Sequence, residues 1–209
     1  MRPPQDLRAA PVSLAIAILT AAAWLIAWIP GWQEGAVAWG GFVPADVVGG
    51  EGPVPALLTP LTSTLVHSGF VHIVFNLVML LSCSRSVEHV LGGRGMIILY
   101  LVGAYAAAAA QYAVDPEATI PMVGASGAVS AVVGAYALLF GRNRKIGRPG
   151  LATLLNALWV GAAWVILQLL IGFTFETTGL RIAVAAHVGA FVAGLALARP
   201  LLLLKWRGA

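Results

Sequence analysis

Charge is what this chain has least of. Of its 209 residues only 10% are Asp, Glu, Lys or Arg, while 60% are hydrophobic. Soluble domains usually carry about 25% charged and about 45–50% apolar residues. A soluble core of this size has no use for so much apolar surface, and a bilayer is its natural solvent. Cysteine is nearly absent as well. The single Cys83 sits in an apolar run, which excludes a disulfide framework and reads as an inert packing residue. No glycine-rich phosphate loop, cysteine–histidine zinc spacing, low-complexity tract or clear internal repeat is visible. Nothing in the residues asks for a metal or a nucleotide cofactor. The length allows one compact membrane domain and little else.

Apolar runs are abundant instead. A spanning helix needs about 20 mostly apolar residues, and six stretches qualify, at roughly 12–29, 67–84, 95–114, 125–141, 151–172 and 181–203. The first follows Arg2 and Arg8 and is too long and tryptophan-rich for a signal-peptide core, so it reads as an uncleaved anchor. With the N-terminus inside and sides alternating, 11 of the 12 basic residues fall on inner segments, Arg181 being the exception. That is the positive-inside pattern, and it makes the net charge of +4 a matter of topology, not of nucleic-acid binding. The expectation is an all-α polytopic protein with six transmembrane helices and both termini cytoplasmic. Its parts are a tail at 1–11, a single six-helix domain at 12–204 and a tail at 205–209. The outer stretch 30–66 carries Trp32, Trp39 and Phe42 among glycines and prolines, which suggests a loop partly embedded in the outer leaflet.

Ionisable and strongly polar residues within spans are costly and are functional candidates. The second span holds His67, His72 and Asn76, with Glu88 and His89 toward its inner end; the sixth holds His187. The second, fourth and sixth spans all run inward. His72, Asn76, Ser126 and His187 therefore fall at one depth, in the outer half of the membrane. His72 and Asn76 are four apart and share a helix face. His67 lies about 140° away and receives no chemical role. The fourth span opens Gly124-Ala125-Ser126-Gly127 and continues with Ser130 and Gly134; the sixth carries His187, Ala190, Gly194 and Ala198. Small residues at this spacing let helix backbones approach closely, as a hydrogen bond from a short serine requires.

A serine hydroxyl is a weak nucleophile and needs an adjacent base, and His187 is the histidine best placed to be one. Acyl transfer also needs donors aimed at the oxyanion. Asn76, His72 and the Ser126 backbone N–H at a helix start can supply them. With no carboxylate at this depth, the arrangement is a Ser–His dyad, not a triad.

The same residues resemble the rhomboid family of intramembrane serine proteases. Gly124-Ala125-Ser126-Gly127 is similar to its G-x-S-G, the spacing of His67, His72 and Asn76 to its second helix, and Ala186-His187 with Gly194 to its sixth. The resemblance covers about residues 55–200. It implies a rhomboid-like bundle with a short central fourth helix, and a serine endopeptidase cleaving transmembrane protein substrates near the outer face of the bilayer, without cofactor. It implies Ser126 as nucleophile, His187 as general base and acid, and His72, Asn76 and the Ser126 N–H as oxyanion hole. Gly124, Gly127 and Gly194 would support the turn and the packing, and Glu88 would be a structural glutamate. On the residues alone, Arg85 and Arg94 are its candidate partners. The location implied is a bacterial plasma membrane. Three departures stand out. Ala190 replaces a glycine, with Gly189 one place early; Ser130 stands where some members have an aromatic ring under the histidine; and 30–66 has no arginine to anchor the outer loop.

Each residue alone has a plainer reading. Ser126 alone reads as helix packing, His187 as packing or proton relay, and His72 and Asn76 as interhelical bonds. Jointly they fill the roles of a hydrolytic site. Two rivals stay open: a small transporter or channel with a polar path through His72, Asn76 and His187, and a non-proteolytic relative that binds membrane proteins.

Overall fold

The computed structural model describes residues 10–50, 52–140, 149–175 and 183–206. The tail residues 1–9 and 207–209 lie outside these, as do Arg142, Arg144, Lys145, Arg148 and Arg181 of the topology argument. The described residues form helices α1 (Pro11–Ala27), α2 (Gln33–Gly40), α3 (Thr59–Thr62), α4 (Phe70–Val114), α5 (Ser126–Phe140), α6 (Pro149–Phe175) and α7 (Val184–Trp206). No strand occurs among them, only an isolated bridge between Phe42 and Met122. Three stretches are long and apolar enough to cross a membrane: Phe70–Val114, Leu151–Leu170 and Val184–Lys205. Pro11–Ala27 and Ser126–Phe140 are shorter apolar helices.

α4 departs from the expected boundaries. Its 45 residues would make a rod about 68 Å long, more than twice the ~30 Å hydrocarbon thickness. It breaks at Gly92, whose φ of 78° and ψ of 166° leave the helical region. His72, near the start of the first arm, lies against Gly124; Ala107, near the end of the second, lies against Gly127. Both arms thus meet the start of α5 and double back as a hairpin. The inner connection expected at 85–94 is therefore helical except at the break. Ser, Arg, Glu and His tolerate helix well enough that polarity alone does not end one, whereas a glycine at positive φ does. Lys205 of α7 donates to the freed carbonyls of His89 (3.0 Å) and Val90 (3.1 Å) just before the break.

Glu88 closes the same end. α1 begins with Pro11 and carries no acidic residue in its first turn. The Glu88 carboxylate accepts hydrogen bonds from the backbone N–H of Val12 (2.9 Å) and Ser13 (2.7 Å) and from the Ser13 hydroxyl (2.5 Å). The start of α1 is thus a partner of Glu88 that the sequence, which suggested Arg85 or Arg94, did not point to. An anion there meets the orphan donors and positive end of a helix.

α4, α5 and α7 form the core, with α6 packed less extensively on α5 and α7. α5 is central: ten of its fifteen residues are buried, among them Ala128, Val129, Ala131, Val132 and Ala135. The outward faces stay apolar, with Leu154, Leu158, Trp159 and Leu170 of α6 and Val188 and Val192 of α7 exposed. Exposed apolar surface on this scale calls for a lipid partner. α5 crosses α7 at backbone contact distance. A Cβ on Gly194 would strike the carbonyl oxygen of Ala131, and one on Gly134 that of Phe191. Gly189 faces Ala110 of α4 instead, and Ala190 is fully buried.

The segment between α1 and α4 is anchored without an arginine. Phe42 and Met122 exchange backbone hydrogen bonds (2.9 and 2.8 Å), Ala45 N–H donates to Ala118 O (3.1 Å), and Tyr105 Oη donates to Leu57 O (3.0 Å). Phe42 is buried while Trp32 and Trp39 are exposed.

Candidate active site

Ser126 is the first residue of α5. Ala125 precedes it as cap, its carbonyl accepting from Val129 N–H (2.9 Å). Helical geometry gives the Ser126 N–H no partner, and the positive end of the α5 dipole lies there. Gly124 makes the turn into the helix at φ 110°, in the left-handed region. A Cβ there would lie 2.6 Å from His72 Nε2, so glycine is required twice over, by conformation and by space. Gly127 lies against Ala107 of α4.

His187 enters from the first turn of α7. Its Nε2 is 2.8 Å from Ser126 Oγ, and both residues are buried. With the imidazole neutral and Nε2 accepting the hydroxyl proton, Nδ1 carries the ring proton. His187 Nδ1 has no partner among the described residues. Asp115 and Glu117, beyond the end of α4, line the same cavity, yet neither hydrogen-bonds this ring.

The pair lies in a cavity of about 810 Å³ whose wall includes Phe75, His72, Gln111 and Gln168. His72 Nδ1 accepts from the Ser68 backbone N–H (3.5 Å) and lies 3.0 Å from Ser68 Oγ. An acceptor Nδ1 puts the proton on Nε2, which faces Gly124 and the serine. Asn76 is buried and does not line the cavity; its Nδ2 donates to His72 O at 2.9 Å, while Oδ1 is unpartnered among the described residues. The structure thus brings Ser126, His187, His72 and Gly124 together, with Asn76 one turn from His72 and Glu88 remote at the far end of the arm.

The contacts of three residues were missed by sequence reasoning. His67, given no chemistry, accepts the Ala125 N–H at Nε2 (3.3 Å) and sets its ring edge-on to His72, centroids 5.0 Å apart. It fixes both the residue before Ser126 and the His72 ring. Ser130 donates to Ser126 O (2.7 Å) and accepts from Trp164 Nε1 (2.7 Å). Trp164 of α6 in turn stacks on Phe75, centroids 5.9 Å apart. Position 130, which lacks an aromatic of its own, is thus hydrogen-bonded to a ring from α6. The small size of Ser130 was the one available signal, since it leaves room for such a partner.

A family model described as the rhomboid domain matches residues 55–204. The chain belongs to the rhomboid family. Together with its apolar helices, membership makes it an integral membrane protein. It is similar to rhomboid protease GlpG of Pectobacterium atrosepticum, 30% identical over 191 residues, covering 91% of this chain and 63% of GlpG. It is 29% identical to rhomboid protease GluP of Bacillus subtilis over 138 residues, 66% of this chain and 24% of GluP. It is 31% identical to mouse rhomboid-related protein 2 over 135 residues, 64% of this chain and 44% of that protein. The chain thus spans less than two thirds of each of these relatives. The matched region contains every candidate site residue of this rhomboid, from His67 to Gly194.

Proposed function

We propose that this rhomboid is an intramembrane serine endopeptidase that hydrolyses transmembrane protein substrates with a Ser126–His187 dyad. The observation that carries the reading is the 2.8 Å contact between His187 Nε2 and Ser126 Oγ in a wall of the cavity. Ser126 Oγ attacks the scissile carbonyl while His187 Nε2 takes its proton. The oxyanion is held by the Ser126 N–H and His72 Nε2–H, while Asn76, which stands behind the cavity wall, holds the His72 backbone through Nδ2. Collapse breaks the C–N bond, His187 returns the proton to the leaving amine, and an ester remains on Ser126. Water arriving through the cavity, activated by His187, hydrolyses the ester and restores the serine.

The proposal includes six crossings with both termini inside: α1, the two arms of α4, α5, α6 and α7. α5 is about 22 Å long, short of the ~30 Å hydrocarbon layer. If its inner end reaches the inner interface, Ser126 lies several ångströms below the outer one. The exposed Trp32 and Trp39 then rest in the outer leaflet.

The test is a fluorophosphonate probe on purified protein in detergent. Labelling should vanish in Ser126→Ala, and cleavage of a single-span substrate should vanish in His187→Ala with the fold intact. Labelling that persists in Ser126→Ala overturns the nucleophile. A channel built on the same histidines would take no label at all.

A further inference from the structure

Gln168 is one of the few polar residues on the largely apolar helix α6. It is only 5% exposed, yet it lines the cavity that holds Ser126 and His187. Its Nε2 has no hydrogen-bond partner among the described residues. A buried amide donor left unmade is costly, more so in a lipid-surrounded helix bundle than near water. Nothing in its own helix explains it. The neighbours Leu167, Leu169 and Leu170 are exposed apolar side chains.

The register of α6 on α5 fixes its level. Asn156 Nδ2 donates to Ala137 O (3.0 Å), and Trp164 Nε1 donates to Ser130 Oγ (2.7 Å). Eight residues along α6 thus correspond to seven back along α5, so the helices run antiparallel. One further turn, from Trp164 to Gln168, matches the turn from Ser130 back to Ser126. Trp164 and Gln168 are four apart and share the face turned to α5. Gln168 therefore stands across the cavity wall at the level of the nucleophile.

We infer that Gln168 is a substrate-binding residue whose side-chain amide donates to a backbone carbonyl of the substrate strand beside the scissile bond. The inference rests on the protease reading of Ser126 and His187. A transmembrane helix has every backbone group satisfied internally. Its scissile carbonyl cannot reach Ser126 until that hydrogen bonding opens, and each C=O freed in a water-poor site then needs a donor. The cavity wall is largely apolar, and His72 Nε2 is assigned to the oxyanion. Apart from Nδ1 of His187, whose ring is already committed to Ser126, Gln168 Nε2 is the buried donor on this wall without a partner among the described residues. Because it would read backbone and not side chains, the substrate class it fits is any unwound, extended segment, whatever its sequence.

The test separates binding of a long substrate from chemistry at the serine. Gln168→Met keeps length and volume and removes the donor; Gln168→Asn keeps the amide but withdraws it by one carbon. Two readouts are taken in proteoliposomes: the rate of fluorophosphonate labelling, and KM and kcat for a single-span substrate. The probe is too small to use Gln168. Gln168→Met should label at the parental rate while kcat/KM for the single-span substrate falls about tenfold, chiefly through KM, with Gln168→Asn between the two. Parental kcat/KM in both variants overturns the inference and leaves the dyad standing. Labelling and cleavage falling in parallel marks Gln168 as structural and overturns it as well. A parental protein that takes no label overturns the protease reading, and this inference with it.

Discussion

Gly194→Ala should part Ser126 from His187. The added methyl would strike the carbonyl oxygen of Ala131, well inside contact distance. Carbon and oxygen approach to about 3.3 Å at closest, so α5 and α7 must part by on the order of 1 Å, and overpacking of this kind costs about 1–3 kcal/mol. The same two helices carry Ser126 and His187, held 2.8 Å apart. Adding about 1 Å takes that pair beyond hydrogen-bond range, and a misplacement of that size costs about a hundredfold in rate. Both consequences can be measured on one preparation, as the unfolding midpoint in detergent and the rate of fluorophosphonate labelling. Gly127→Ala provides the contrast. Its methyl would meet the Cβ of Ala107 at 2.6 Å, a side-chain atom. Ala107→Gly removes that obstacle and should restore labelling to the Gly127→Ala protein. Ala131→Gly should not rescue Gly194→Ala, because the obstacle there is backbone. Parental labelling in Gly194→Ala, or rescue by Ala131→Gly, refutes the claim that backbone contact between α5 and α7 sets the site.

Gly124→Ala combines a strained φ of 110° with a Cβ 2.6 Å from His72 Nε2; labelling should fall about a hundredfold with helical circular dichroism retained, and a parental rate would sink the turn argument. Glu88→Gln weakens the acceptor for Val12, Ser13 and the Ser13 hydroxyl, so the unfolding midpoint should drop by the equivalent of about 1–3 kcal/mol, read by thermal melts in detergent. Ser130→Ala and Trp164→Phe break the same hydrogen bond; each should destabilise by about 1 kcal/mol, and the double variant by clearly less than the sum, so strict additivity would show that the bond contributes nothing. His67→Phe removes the acceptor for the buried Ala125 N–H and should slow labelling about tenfold while the midpoint drops by the equivalent of about 1–3 kcal/mol.

What the sequence made legible follows from periodicity and composition. Apolar runs located the helices, and the stripes through Gly134 and Gly194 anticipated the close crossing of α5 and α7, because such contacts depend only on residue size at helical spacing. The break in α4 was not legible. The charged residues at 85–94 suggest a connection, but the helix runs through them to Gly92, where the backbone leaves the helical region. The roles of His67, Ser130 and Trp164 were equally hidden. His67 reaches a residue 58 positions away and Trp164 one 34 positions away. Such partners are set by how helices dock, and no local pattern encodes them. Glu88 was legible as structural, but its partner lay 75 residues off in a helix whose own first turn supplies no acid.

The dyad poses a chemical question that the surrounding structure answers in part. On the proposed mechanism His187 becomes an imidazolium in the transition state, yet its Nδ1 is buried and unpartnered among the described residues. Without a carboxylate on that nitrogen, orientation has to come from packing, and Ala186 and Ala190, both essentially buried beside it, leave the helix little freedom. Stabilisation has to come from the other side of the reaction. An oxyanion-hole donor contributes about 2.7–4 kcal/mol when removed singly from a serine hydrolase. The donors here stand on a network that fixes them beforehand: Ser68 sets the His72 tautomer, Asn76 holds the His72 carbonyl, and His67 holds the residue before the nucleophile. If the proposed roles hold, a site whose base has no carboxylate partner and whose oxyanion donors are pre-set should lose more rate from disturbing His72 than from altering polarity around His187 Nδ1.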